Sequence, residues 1–311
     1  MKHMTRRRFL GAATAGLPLS SARTNAAIAP TRIIDTHTHF YDPTRPQGVP
    51  WPPRTEALLY RRTLPQDFQE VIQRLHVAGT IVVEASPWLE DNQWLLDLAR
   101  ENPLIVGVVG HLEPGSAVFK SHLQRFTKDP LFRGIRLSGE MIATGLSQTS
   151  FVADLQRIAD AGLEIDAIGE NSMLTDLVTL SDTVPHLRVV IDHLPFDPPS
   201  GGDAGHKAQS ALRELGRRPL VYAKVSGVLR RIEGRVATEV NSYRPLLDQM
   251  WETFGSDRLL YGSNWPVSNL LAPYATVLKV VREYFLGKGA AASEKYFWKN
   301  SEVAYRWLDR R

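Results

Sequence analysis

Short apolar, β-rich runs recur along this chain and are separated by amphipathic stretches. The runs occupy residues 33–36, 80–84, 104–109, 134–137, 163–168, 187–191, 220–225 and 259–261. Between them apolar residues return at helical spacing: Phe68, Val71, Ile72 and Leu75; Phe151, Leu155, Ile158 and Ala159; Tyr274, Val277, Leu278 and Val281. Pro65 and Pro273 stand where a first helical residue belongs, and Gly79 and Gly162 read as helix ends just before strands. Strand–helix alternation repeated eight times predicts an α/β fold, a single-domain (β/α)8 TIM barrel, with a doubly wound sheet as the second choice. A last amphipathic stretch, 293–308, is expected to pack outside the barrel.

The first 27 residues break this pattern. Thr5-Arg6-Arg7-Arg8-Phe9-Leu10 precedes a mild apolar stretch and the small residues Ala26 and Ala27, the layout of a twin-arginine export signal. The apolar stretch is too short and too interrupted by Gly and Pro to span a bilayer. The expected organisation is therefore an export signal over 1–27 and a barrel over 28–311, with folded passage through the twin-arginine machinery to the periplasm. The leader holds five basic residues and no acidic one, so the formal charge of +4 falls to −1 without it. The basic balance thus argues for neither a nucleic-acid partner nor stable membrane association; the expected partner is a small-molecule substrate. The chain has no cysteine, which excludes disulfides and thiolate metal sites.

Polar residues gather where a barrel keeps its chemistry, at the C-terminal ends of strands. His37 and His39, two apart in Asp35-Thr36-His37-Thr38-His39, end the first run and should share a face with Asp35. Glu84 ends the second run, His111 follows the third, Arg136 lies near the end of the fourth, His193 follows the sixth, Lys224 lies near the end of the seventh and Asn264 follows the eighth. Paired imidazoles can hold a divalent metal or polarise a carbonyl. Residues 40–62, rich in proline and aromatics, are long enough for a lid.

Five segments occur in order: Ile-Asp-Thr-His-Thr-His-Phe-Tyr-Asp-Pro (34–43), Phe-Arg-Gly-Ile-Arg-Leu (132–137), Ile-Asp-His-Leu (191–194), Lys-Val-Ser-Gly (224–227) and Tyr-Gly-Ser-Asn-Trp-Pro-Val (261–267). Together they resemble the amidohydrolase-related family, the amidohydrolase 2 branch, and within it the sugar-lactone and pyrone-dicarboxylate lactonases. The resemblance implies a (β/α)8 barrel that hydrolyses a cyclic ester, with His37, His39 and His193 around the carbonyl. Two departures matter. Metal-dependent relatives carry a histidine at the end of the fifth strand, where this chain reads Ile165-Asp166-Ala167-Ile168-Gly169-Glu170, and an aspartate at the end of the eighth, where it has Asn264. A neutral amide cannot take a proton at ordinary pH and ligates metals weakly.

These residues set the expectations. His37, His39 and His193 polarise the carbonyl or hold one zinc-like divalent ion; a metal-free mechanism stands beside that option. Glu84 or His193 activates water and Asn264 orients it, while Arg136, Lys224, His111 and Trp265 bind substrate. A carbon–carbon lyase or decarboxylase on the same barrel, and a non-catalytic descendant suggested by Asn264, remain as alternatives.

Overall fold

The computed structural model describes residue 1, residues 30–193 and residues 202–310. The expected export signal lies outside this set, apart from residue 1. Eight strands pair in parallel and in chain order: β1 (Ile33–Thr38), β2 (Val77–Val83), β3 (Ile105–Gly110), β4 (Phe132–Ser138), β5 (Glu164–Ile168), β6 (Arg188–Ile191), β7 (Val221–Val225) and β8 (Leu259–Tyr261). A helix follows each strand, among them Pro65–Ile72 after β1, Leu89–Glu101 after β2 and Tyr274–Gly287 after β8. Closure between the first and last strands separates this fold from a doubly wound sheet. Asn264 N donates to His37 O and His39 N to Trp265 O, both at 2.9 Å, and Thr38 bridges to Trp265.

Asp35 pins that seam. Its buried carboxylate accepts from Ser263 N at 2.9 Å, His37 N at 3.1 Å and Tyr274 Oη at 3.1 Å. Burial lifts its pKa to about 6 against these hydrogen bonds. β1 pairs irregularly with β2 between Asp35 and Thr38. Asp35 therefore faces Ser263 and Tyr274 instead of joining the two histidines, as simple alternation would have it.

One apolar layer lies between strands and helices; the other includes Ile34, Ile81, Val83, Val106, Val109, Val190, Tyr222 and Leu260. Ala304, Tyr305 and Trp307 complete the second layer. Of the C-terminal stretch expected on the outside, Tyr296 and Phe297 do join the layer between strands and helices, while its end packs into the barrel's own apolar layer, where Tyr305 Oη donates to Asp166 Oδ1 at 2.8 Å. Gly79 corrects a second expectation. It lies inside β2, where a Cβ would come within 2.8 Å of Val106 Cγ1, so close strand packing and not a helix end requires glycine. Gly162 does follow its helix, Thr149–Asp160, at φ +70°.

Candidate active site

The strand ends converge on a cavity of about 530 Å³. His39, Trp51, Glu84, His111, Arg136, His193 and Asn264 are among its lining residues, with Ser138, Met141 and Ile168 adding area. Two of these side chains come from backbone in the left-handed region, His193 at φ 45° and Asn264 at φ 59°. For a residue with a Cβ this costs on the order of 1–3 kcal/mol, held here by the surrounding barrel. Among the described residues, the buried Asn264 Oδ1 has no hydrogen-bond partner.

Three imidazoles cluster at the base of the cavity. The His37 ring lies 4.9 Å from that of His39 and 4.3 Å from that of His193. His39 Nδ1 is 2.9 Å from Val83 O. A carbonyl only accepts, so Nδ1 carries the proton and Nε2 a free lone pair. His193 Nδ1 is 2.8 Å from Ser226 Oγ, a hydroxyl that can donate or accept, so this ring is free to adopt either tautomer. Burial is the main cause of depression in all three: His39 is lowered to about 3, with Arg136 adding repulsion, and His193 to about 4 despite Asp192. His37 is also held well below the ordinary histidine value, burial outweighing Asp192. The cluster is neutral at neutral pH, and its nitrogens are available for proton transfer.

Beneath the imidazoles lies a sealed charged layer. Lys224 Nζ is 2.5 Å from Asp166 Oδ2, 2.7 Å from Asp192 Oδ1 and 3.1 Å from His37 Nδ1. Burial opposes the ammonium, but the two aspartates outweigh it and raise the lysine pKa. One ammonium cannot neutralise two carboxylates. Burial also works against Asp192, but Lys224 outweighs it and holds the carboxyl well down; burial and Asp192 push Asp166 up.

The mouth therefore brings together His39, Glu84, His111, Arg136, His193 and Asn264, as the strand ends predicted. Lys224 is a correction: it is fully buried in the layer below, committed to Asp166 and Asp192, and does not line the cavity. Trp265 is another: it is 2 % exposed and packs on Phe68 and Phe40, with ring centroids 5.1 and 6.0 Å away. The aromatic at the cavity is Trp51, 5.7 Å from the His39 ring. Its loop is tied at both of its ends and again at Arg45. Tyr41 and Thr63 exchange backbone hydrogen bonds, and Arg45 holds Asp91 through two bonds at 2.8 and 3.1 Å. Glu84 is bound to Arg136, Nε to Oε1 at 2.8 Å and Nη2 to the Glu84 carbonyl at 2.8 Å.

The expected metal set of His37, His39 and His193 is not the donor cluster that forms. The described donor atoms that approach within 4.8 Å of one another belong to His37, Asp166 and Asp192. That set is of a kind that ligates divalent ions. As built it does not fit one, because the Lys224 ammonium already stands within bonding distance of all three side chains. Asp166, Asp192, Ser226 and Trp51 escaped the sequence reading. The first two carried a signal, since an acid within or at the end of an apolar strand needs a buried counter-charge, and Lys224 is the matching residue.

The sequence profile of the amidohydrolase family matches residues 34–307. An L-fucono-1,5-lactonase from Burkholderia ambifaria is 33% identical over 245 residues, 76% of this chain and 81% of that one. An amidohydrolase from Burkholderia multivorans, crystallised with bound zinc, superposes with a TM-score of 0.78 at 22% identity, covering 89% of this chain and 99% of that one. The same fold extends to a 2,6-dihydroxybenzoate decarboxylase, TM-score 0.60 at 12% identity over 90% of this chain and all of that one.

Proposed function

The chain belongs to the amidohydrolase family, and on that premise we propose that it hydrolyses a neutral sugar-acid lactone of the L-fucono-1,5-lactone type. The observation that carries this reading is the His39 Nδ1 contact to Val83 O, which leaves a bare, neutral Nε2 on a residue lining the cavity. His39 takes a proton from water as the water oxygen bonds to the lactone carbonyl carbon. His37 and Asn264 donate to the developing oxyanion; the buried Nε2 of His37 has no partner of its own among the described residues. The tetrahedral intermediate then breaks its bond to the ring oxygen, and the proton His39 took from water passes to that oxygen, which returns His39 to its neutral form. Water is consumed and a hydroxy acid is formed. Glu84, assigned as a base candidate by the sequence, instead orients Arg136.

The Glu84–Arg136 pair also bears on the substrate. The two charges cancel at the wall, and the histidines of the base are neutral, so the cavity suits an uncharged polyhydroxy ring better than a dicarboxylate. The test is a panel of sugar 1,4- and 1,5-lactones with a pyrone dicarboxylate, followed by acid release and by carbon dioxide release. Turnover of a neutral lactone, lost in His39→Gln, supports the reading. Carbon dioxide release without ring opening would establish the lyase alternative. No turnover until Asn264→Asp is introduced would establish the non-catalytic one. Periplasmic delivery by the twin-arginine route is proposed with it, on the Arg6-Arg7-Arg8 leader. Changing all three arginines to lysine should leave the precursor in the cytoplasm.

A further inference from the structure

An ammonium has three hydrogens to donate and nothing to accept with. Lys224 Nζ has three acceptor side chains around it, Asp166 Oδ2 at 2.5 Å, Asp192 Oδ1 at 2.7 Å and His37 Nδ1 at 3.1 Å, in a layer with no solvent exposure. We propose that Lys224 is the site's resident cation: it takes the place of a divalent ion among His37, Asp166 and Asp192 and, by donating to His37 Nδ1, fixes that ring's proton on Nε2.

The second half follows from valence. A ring protonated on both nitrogens would set an N–H against the Lys224 ammonium, so the His37 ring carries one proton. His37 Nδ1 also lies 3.3 Å from Asp192 Oδ1, but among the described residues neither Asp192 oxygen takes a hydrogen bond from the ring, and the hydrogen-bonded contact is the 3.1 Å one to Lys224. An ammonium cannot accept, so Nδ1 is the bare nitrogen and the proton sits on Nε2. That nitrogen is buried and has no partner among the described residues, beside the rings of His39 and His193. The two β1 histidines consequently differ: His39 is locked with a bare Nε2 by Val83 O, and His37 with a protonated Nε2 by Lys224. Lys224 is thus a positioning residue that converts His37 into a hydrogen-bond donor without touching substrate. The role of that donor at a carbonyl rests on the hydrolytic reading above; the tautomer and the occupancy of the cluster do not.

Both are measurable without substrate. Nitrogen-15 spectra of the histidine side chains, with His37 identified by the signal lost in His37→Gln, should show bare Nδ1 and protonated Nε2 in the purified protein. Zinc titrated into the metal-stripped protein should find no site that is abolished by Asp166→Asn. In Lys224→Met the two carboxylates lose their cation; that variant should gain one equivalent of zinc, and before zinc is added His37 should move its proton to Nδ1 and donate to Asp192. Its kcat on a responsive lactone should fall about 100-fold with KM changed only a few-fold. A proton on Nδ1 of His37 in the unaltered protein, or a zinc site in that protein that Asp166→Asn removes, would overturn the proposal. Both observations are made on the unaltered residue 224, so they decide the matter even if Lys224→Met fails to fold. Failure of every lactone in the panel with the predicted spectrum intact would instead count against the function alone.

Discussion

The mouth and the layer beneath it are built on opposite principles, although both are made of titratable side chains at the ends of the same strands. In the lower layer Lys224, Asp166 and Asp192 are charged or potentially charged, dry and bonded to one another, with Tyr305 donating to Asp166 from the C-terminal segment. In the upper layer the imidazoles are neutral, and Nδ1 of His39 and of His193 is tied by one bond to the protein. Charge is placed where it can be fixed, and lone pairs are left where a substrate arrives. Binding-site polarity here comes from uncommitted nitrogen atoms and not from net charge.

Breaking the upper layer should have the largest effect. His39→Gln keeps an amide near the same place but supplies no base. Turnover of the responsive lactone should drop about 1,000-fold, equivalent to about 4 kcal/mol of transition-state stabilisation, while the urea midpoint stays close to that of the parent. A fall of less than tenfold would give the base role to another group.

Breaking the lower layer should show first in stability. Asp166→Ala removes one of the two counter-charges of a fully buried lysine and the acceptor of Tyr305 Oη. Removing one member of a buried ion pair typically costs about 3 kcal/mol or more. Urea unfolding of Asp166→Ala should register a loss of about that size, and an unchanged midpoint would show that the layer contributes nothing net to folding.

The two layers were unequally legible in the sequence. Strand ends are marked by where apolar runs stop, so His39, Glu84, His111, Arg136, His193 and Asn264 could be placed at the mouth by counting. Depth was the missing dimension. Lys224 lies within an apolar run, and a strand end does not say whether a long side chain reaches outward to solvent or inward to Asp166 and Asp192. Trp51 and Trp265 were indistinguishable for a similar reason: both lie in loops, and only the tertiary fold seats Trp265 on Phe68 and Trp51 against His39. Asp35 read as a partner of the histidines because the irregular pairing of β1 is a property of two strands, not of one.

Acid sharpens the contrast at a smaller scale. His39 and His193 titrate at about 3 and about 4, burial being the main cause. The neutral rings are the working forms, so kcat/KM should hold from pH 7 down to about 5 and fall only below about 4. An ordinary histidine base would already have lost about 30-fold at pH 5. The sign for folding is the same. Unfolded histidines bind protons below about 6.5 that the folded ones refuse, so the histidines' own contribution to stability declines as the pH drops from there and levels off below about 3, while Asp35 and Asp166, lifted to about 6, act in the opposite sense.

The smallest effect should come from the wall. Trp51 lines the cavity 5.7 Å from His39 and 5.4 Å from Tyr41, on a loop held by Arg45 and Asp91 rather than by the tryptophan itself. Trp51→Ala should therefore remove apolar area against which one face of a sugar ring packs, without releasing the loop. Loss of one such contact is worth about 1–2 kcal/mol, or about a tenfold rise in KM. The tautomer of His39 is set from the other side, by Val83 O, so kcat should change by less than threefold. Trp51→Phe, which keeps a flat apolar face, should recover most of the affinity. If Trp51→Ala lowers kcat as much as it raises KM, the tryptophan orients His39 as well as the substrate, and the division between a wall that binds and a base that reacts does not hold at this residue.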